Sequence, residues 1–140
     1  MKRKRSIGVS ALTLWTVAAL SLGACTSGGE PTPSTLPVDD CAHVIDATVE
    51  ASTTGYRVAA TVRSADTGWE QYADAWEVRD ESGAVLGTRV LAHPHVDEQP
   101  FTRSLDGVDI PPGTTSVEIA ARDSVHGFCG DTLQVSVPER

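Results

Sequence analysis

The stretch YRVAATVR, residues 56–63, has an apolar side chain at every second position, namely 56, 58, 60 and 62, and Arg57, Ala59, Thr61 and Arg63 alternate with them. Such alternation is typical of a β-strand with one buried face. The sequence pattern predicts six further strands, at residues 43–51, 72–79, 84–91, 101–105, 117–122 and 133–137. After Cys25, no stretch repeats apolar residues with a helical period. Seven short strands in about a hundred residues predict an all-β fold, an antiparallel two-sheet sandwich.

The charge of the chain excludes one class of partner. The 140 residues are 40% hydrophobic and include 11 Lys and Arg against 19 Asp and Glu, a formal net charge of −8. Proteins that bind nucleic acids need a basic surface, because their affinity comes largely from neutralising phosphates. We therefore expect no nucleic-acid partner.

The N-terminus has the pattern of a secretory signal. Four basic residues at 2–5 precede an uncharged apolar stretch at 8–22, which is short for a transmembrane helix. The sequence Leu22-Gly23-Ala24-Cys25 then resembles the lipobox of bacterial lipoproteins. In that family the cysteine carries lipid, with acyl chains such as palmitate, and the preceding peptide is removed. The alternatives are an ordinary signal peptide with a chance cysteine, or an uncleaved anchor.

The lipobox resemblance implies a signal peptide at residues 1–24, lipid attachment at Cys25 and an extracytoplasmic protein anchored to the bacterial cell membrane. Residues 25–40 are rich in Gly, Pro, Ser and Thr and predict a flexible linker, so the folded domain is expected at 41–140. Without residues 1–24 the chain has 7 basic and 19 acidic residues, a net charge of −12. Anionic lipids repel such a chain, so we expect the lipid anchor to hold it at the membrane.

The folded domain shows two resemblances. LDGV at residues 105–108 and IPPGT at 110–114 resemble the corner between the fifth and sixth strands of an immunoglobulin or fibronectin type III domain. The runs at 65–76, 87–105 and 123–127 resemble a group of small secreted bacterial proteins with no established activity. Together they imply a seven-stranded immunoglobulin/fibronectin type III-like sandwich, with Trp76 as a structural core residue.

In a sandwich of this type, alternate connections lie at the same end. The loops at residues 64–71, 92–100 and 123–130, here called the loop end, should therefore meet. The first strand also begins there, which places Cys41 beside Cys129. A disulfide between them would be oxidised outside the cytoplasm and leaves Cys25 for the lipid. The alternative is two free thiols that bind metal or form a redox pair, although no C-x-x-C spacing is present.

The loop end also contains side chains that bind metals. Neutral imidazole nitrogens suit Zn²⁺ and Cu²⁺, and the candidate ligands are His93, His95, Glu98 and His126. The alternative is that these residues lock the loops through structural ion pairs and bind no cofactor. We expect His43, near the start of the first strand, to face solvent.

Catalysis is not expected. Asp123, Ser124 and His126 are the residue types of a catalytic triad. However, neighbours in one loop rarely place the nucleophile, the base and the residue that orients the base in line, and no G-x-S-x-G motif is present. Paired carboxylates occur at Asp66 with Glu70 and at residues 97–98. A small sandwich without a deep cleft has little means of raising the pKa of one carboxyl above that of the other.

Trp69 and Tyr72 lie next to acidic residues in the first loop of the loop end. Exposed aromatic side chains in such positions are typical of surfaces that bind sugars or proteins. The alternative is that both rings plug the end of the sandwich. The sequence thus predicts a non-catalytic binding or structural domain for an unidentified surface ligand or protein. The alternative function is a metal-binding lipoprotein.

Overall fold

Seven strands make up the folded part of the chain in a computed structural model that describes residues 39–140. They are β1 (His43–Ser52), β2 (Gly55–Arg63), β3 (Ala73–Arg79), β4 (Val85–Val90), β5 (Phe101–Val108), β6 (Ser116–Asp123) and β7 (Leu133–Ser136). The predicted signal peptide, Cys25 and most of the linker lie outside the described residues. Residues 39–140 contain no helix that is long and apolar enough to cross a membrane.

The strands form two antiparallel sheets, which confirms the predicted all-β sandwich. One sheet has the order β1-β2-β5 and the other has the order β4-β3-β6-β7. β4 pairs with β3, with Ala75 opposite Val90. In a constant-type immunoglobulin sandwich the fourth strand lies in the sheet of the first two strands. The sheet order here therefore differs from that arrangement.

The period-two pattern of β2 places one face of the strand in the core. Tyr56, Val58, Ala60 and Val62 are all buried, as the alternation predicts. They belong to one hydrophobic cluster with Trp76, which has no exposed surface. Burying apolar surface is the main favourable contribution to folding, roughly 25 cal/mol per Å². The structural role predicted for Trp76 is confirmed.

Hydrogen bonds join the three loops of the loop end. The backbone amide of Ser64 donates to Oε1 of Gln99, at 3.0 Å. The backbone amide of Ser124 donates to the carbonyl oxygen of Tyr72, at 2.9 Å. The loops after β2, β4 and β6 therefore meet at one end of the sandwich, as the predicted topology requires.

Candidate functional site

A disulfide ties the start of the domain to the loop end. Cys41 and Cys129 are bonded, with their Cα atoms 5.5 Å apart, and this pairing agrees with the prediction. The chain on either side is closely packed, because a Cβ atom on Gly130 would clash with the carbonyl group of Ala42. The amide of Val44 also donates to the carbonyl oxygen of Asp131, at 2.9 Å. The start of β1 is thus fixed to the chain that precedes β7.

His43 reinforces this junction, and the expectation that it faces solvent was wrong. Only 7% of the residue is exposed. Its Nε2 lies 2.6 Å from Oδ1 of Asp39, and its Nδ1 lies 3.0 Å from Oδ2 of Asp131. The hydrogen bond with His43, together with that from the amide of Cys41, lowers the pKa of the Asp39 carboxyl. The backbone amide of Asp131 also donates to Nδ1, so the imidazole joins Asp39 to Asp131, which are distant in sequence.

Asp66 is the centre of the hydrogen bonding within the loop end. Its side chain is fully buried. Oδ1 accepts hydrogen bonds from the hydroxyl of Ser64 and from the amide of Ala73, and Oδ2 accepts one from the amide of His95. Glu70, by contrast, is exposed. This structural role of Asp66 was not predicted from the sequence.

Two of the predicted metal ligands, His93 and His95, lie side by side. Their ring centroids are 4.6 Å apart, and the ring of His95 stacks on Phe101 at 3.8 Å. Only 3% of His95 is exposed, and its Nδ1 has no hydrogen-bond partner. Burial lowers the pKa of His95, and the positive charges of Arg103 and His93 act in the same direction. His93 is exposed, and its Nδ1 lies 3.0 Å from the carbonyl oxygen of Pro94.

The other two predicted ligands have protein partners of their own. Glu98 forms an ion pair with Arg103 at 2.8 Å, and the hydrogen bond from Arg103 lowers the pKa of Glu98. Nδ1 of His126 lies 3.1 Å from Oδ1 of Asp123, which also accepts the His126 backbone amide. Within residues 39–140, no three His, Cys, Asp or Glu side chains are grouped as a metal site requires.

Asp123, Ser124 and His126, which are the residue types of a catalytic triad, do not form one connected hydrogen-bond chain. Oδ1 of Asp123 accepts hydrogen bonds from the amides of Val125 and His126, which is the pattern of a capped turn. The hydroxyl of Ser124 accepts the amide of Tyr72, at 3.1 Å. The side chains of Asp123 and His126 are in contact, whereas the hydroxyl of Ser124 contacts the neighbouring loop.

Trp69 and Tyr72 form an aromatic pair, in which Trp69 is exposed and Tyr72 is half-buried. Trp69 is 70% exposed, which excludes the alternative that it plugs the sandwich. Its ring meets that of Tyr72 edge to face, with centroids 5.8 Å apart and planes at 75°. The backbone of Tyr72 is hydrogen-bonded to Ser124 through both its amide and its carbonyl group. The pair therefore stands on a fixed backbone with one ring open to solvent.

A cavity of about 610 Å³ lies at the opposite end of the sandwich. Its walls include Tyr56, Ile110, Pro112, Pro138 and Arg140. The hydroxyl of Tyr56 donates to the carbonyl oxygen of Pro138, at 3.2 Å, and the guanidinium of Arg140 lies 5.3 Å from the Tyr56 ring centroid. This cavity was not predicted from the sequence, because its walls come from segments distant in sequence.

The chain has a relative among known proteins. A Halomicrobium mukohataei protein described as a "putative lipoprotein" is 37% identical over 95 residues. The match covers 67% of this chain and 46% of the relative, so the chain spans about half the length of the relative it matches. No family model matches the sequence. No solved structure matches the chain.

Proposed function

We propose that this protein is a lipid-anchored extracytoplasmic lipoprotein whose sandwich domain is a non-catalytic binding module. In this proposal the chain is cleaved before Cys25, which carries the lipid, and residues 26–40 link it to the domain. The domain is immunoglobulin/fibronectin type III-like, and it binds a surface ligand or protein through the loop end. The observation that carries the proposal is the exposed ring of Trp69 on a fixed backbone.

Two observations support the lipid anchor. The first is the order of a basic start, an apolar stretch and Leu22-Gly23-Ala24-Cys25. The second is the 37% identity to a protein described as a lipoprotein. More than one acyl chain gives stable anchoring, whereas a single chain binds membranes only marginally. The net charge of −12 after residue 24 leaves the lipid as the means of attachment.

The anchor is tested by expressing the full chain in a bacterial host with an alkyne-labelled fatty acid. We expect the wild-type protein to take up the label and to sediment with membranes. The Cys25→Ser variant should lose the label, because the serine hydroxyl cannot form the thioether. A Cys41→Ser, Cys129→Ser double variant is the matched control and should keep the label. Labelling of Cys25→Ser would contradict the anchor.

The binding role is supported by the energetics of the aromatic pair. A large aromatic ring left 70% in water forgoes the stabilisation that its burial would give. Aromatic side chains on fixed backbones are frequent hot spots of interfaces, because little conformational entropy is lost when they bind. The hydrogen bonds of Asp66 and of Tyr72 hold this loop in place. The pair thus has the properties of a binding surface.

We test this role with a photo-crosslinking amino acid in place of Trp69 in the full-length, membrane-anchored chain. A matched control carries the same amino acid in place of Val85, which is 52% exposed at the other end of the sandwich. We expect position 69 to give a discrete adduct, and excess wild-type chain should suppress its formation by competing for the partner. Position 85 should give no adduct. Equal adducts from both positions, or none from position 69, would count against the proposal.

A second candidate function, binding of Zn²⁺ or Cu²⁺, is favoured by the contact between His93 and His95. If Nδ1 of His93 donates to the carbonyl oxygen of Pro94, its exposed Nε2 keeps a free lone pair. Metal-binding histidines commonly donate their other ring nitrogen in this way. The ring centroids are 4.6 Å apart, so the two imidazoles are close enough to approach the same metal ion.

The metal candidate is tested by titrating Zn²⁺ and Cu²⁺ into the full chain, prepared oxidised and without a histidine tag. We expect stoichiometric binding that His93→Ala abolishes. His126→Ala should retain it, because the side chain of His126 is engaged with Asp123. Binding that survives in His93→Ala, or no binding to the wild-type chain, would reject this candidate.

A further inference from the structure

The turn that carries Trp69 presents two exposed side chains at its tip. The amide of Thr67 donates to the carbonyl oxygen of Gln71 at 3.0 Å, and the amide of Gln71 donates back to that of Gly68 at 3.3 Å. Trp69 and Glu70 therefore occupy the two central positions of a tight turn, and both are exposed. Gly68 has a φ of 138°, a backbone conformation that residues with a Cβ atom rarely adopt.

The rings of Trp69 and Tyr72 are nearly perpendicular, and the surface that they form is here called the corner. The planes of Trp69 and Tyr72 are 75° apart, so the face of one ring meets the edge of the other. The face of an aromatic ring carries partial negative charge, which attracts cations; tryptophan gives the strongest such interaction. Perpendicular rings of this kind are the elements from which proteins build sites for cationic groups.

The charges around the corner favour the same type of ligand. Residues 64–74 include Asp66, Glu70 and Asp74 and contain no lysine or arginine. Asp66 is buried and hydrogen-bonded, and Asp74 lies 3.6 Å from the guanidinium of Arg122. Glu70 has no ion-pair or hydrogen-bond partner among residues 39–140, and it is adjacent to Trp69 in the turn. One carboxylate therefore remains beside the corner to meet a positive charge.

We propose that Trp69, Tyr72 and Glu70 form a site for the arginine or lysine side chain of a partner protein. This inference rests on the proposed binding function and specifies its ligand chemistry. The cation lies against the indole face, and the Glu70 carboxylate neutralises its charge. The strongly acidic domain adds long-range attraction that speeds the encounter with a basic partner.

The probe is a synthetic peptide, acetyl-(Gly-Arg)₃-amide, and its control has neutral citrulline in place of each arginine. The full chain is placed in nanodiscs of phosphatidylcholine, which carries no net charge. Binding is followed by tryptophan fluorescence in a Trp15→Phe background, in which Trp69 is exposed and Trp76 is fully buried. We expect the arginine peptide to change the emission of Trp69, the citrulline peptide to have little effect, and 300 mM salt to weaken binding.

Variants separate a local site from general attraction to an acidic protein. Glu70→Gln should weaken binding of the arginine peptide by about 2–5-fold, as expected for an exposed charge pair. Asp109→Asn, which removes an exposed carboxylate at the opposite end, should change it by less than about 1.5-fold. Trp69→Leu should remove the fluorescence change and weaken binding by about 2–5-fold in a calorimetric titration.

The outcomes distinguish this inference from the binding function itself. Equal responses to the arginine and citrulline peptides would overturn the cationic ligand and leave the binding function in place. A response of Trp69 to neutral oligosaccharides but not to the arginine peptide would overturn it in favour of a sugar. Equal losses in Glu70→Gln and Asp109→Asn would overturn the local site. No response to the arginine peptide would overturn the inference outright.

Discussion

The side chain of Asp66 accepts a hydrogen bond from the backbone amide of His95, with Oδ2 2.7 Å from the nitrogen. The two residues belong to different loops, 29 positions apart. The same carboxylate receives the amide of Ala73, at 2.9 Å, through its other oxygen. One buried side chain thus joins two loops of the loop end and positions both the aromatic pair and the histidine pair.

Asp66→Asn is expected to destabilise the domain although the two side chains have almost the same shape. Both carboxylate oxygens accept N–H or O–H groups, so the amide group of asparagine would face a donor in either orientation. A buried donor without an acceptor costs about 1–3 kcal/mol, and the charge-assisted bonds are lost as well. We expect the free energy of unfolding in urea to fall by about 2–4 kcal/mol.

Asp97→Asn is the matched control for Asp66→Asn, because Asp97 is exposed in the second loop. Its free energy of unfolding should stay within about 0.5 kcal/mol of the wild-type value. Similar values for the two variants would show that Asp66 does not hold the loops together.

The two tryptophans of the domain are expected to respond to truncation in opposite ways. Trp76 is fully buried, so Trp76→Ala leaves a large cavity and should lower the free energy of unfolding by about 3–5 kcal/mol. Trp69 is mostly in water, so Trp69→Ala should change it by about 0.5 kcal/mol or less. Urea unfolding of both variants measures the difference. A large loss in Trp69→Ala would assign that ring a structural role.

The strands could be predicted from the sequence because alternation is a local property. In β2, Tyr56, Val58, Ala60 and Val62 are buried in the core, and the predicted strand starts only one residue later than the observed one. The meeting of the three loops followed from the sandwich topology that the resemblance implies. The end of β5 was predicted at Leu105 although the strand continues to Val108, because Asp106 and Gly107 are poor strand formers.

The hydrogen-bond network of the loop end could not be predicted in the same way. Asp66 binds backbone amides, which every residue except proline possesses and which therefore leave no signal in the sequence. His43 was expected in solvent because its partner Asp131 is 88 residues away and Asp39 lies in the segment interpreted as linker. Only the folded chain brings these groups together.

The disulfide is expected to contribute strongly to stability. Cys41 and Cys129 are separated by 88 residues. In the chain-entropy model, closing a loop of this length stabilises the folded state by roughly 4–5 kcal/mol. We expect the Cys41→Ala, Cys129→Ala double variant to lose about that much free energy of unfolding, measured in urea. Adding a reductant to the wild-type chain should produce a comparable loss. A loss below about 1 kcal/mol would contradict this account.

The buried imidazole of His95 predicts that the domain is less stable at mildly acidic pH. Burial lowers the pKa of this group in the folded state, whereas in the unfolded chain its pKa is near 6.5. Below about pH 6.5 the unfolded chain therefore binds a proton that the folded chain does not, and the free energy of unfolding falls as the pH decreases. The slope from one such group cannot exceed about 1.4 kcal/mol per pH unit.

The charged groups around His95 set the size of this effect. Arg103 and His93 oppose its protonation, and Asp66 and Glu98 favour it, but burial is the largest influence. Unfolding in urea between pH 7.5 and 5.5, with EDTA present, measures the slope. His95→Phe keeps an aromatic ring against Phe101 and the backbone amide that bonds Asp66, so it should lose less stability on acidification than the wild-type chain. His93→Ala is the control and should retain most of the slope, because His93 is exposed. Parallel pH profiles for the wild-type chain and His95→Phe would show that another group governs the acid response.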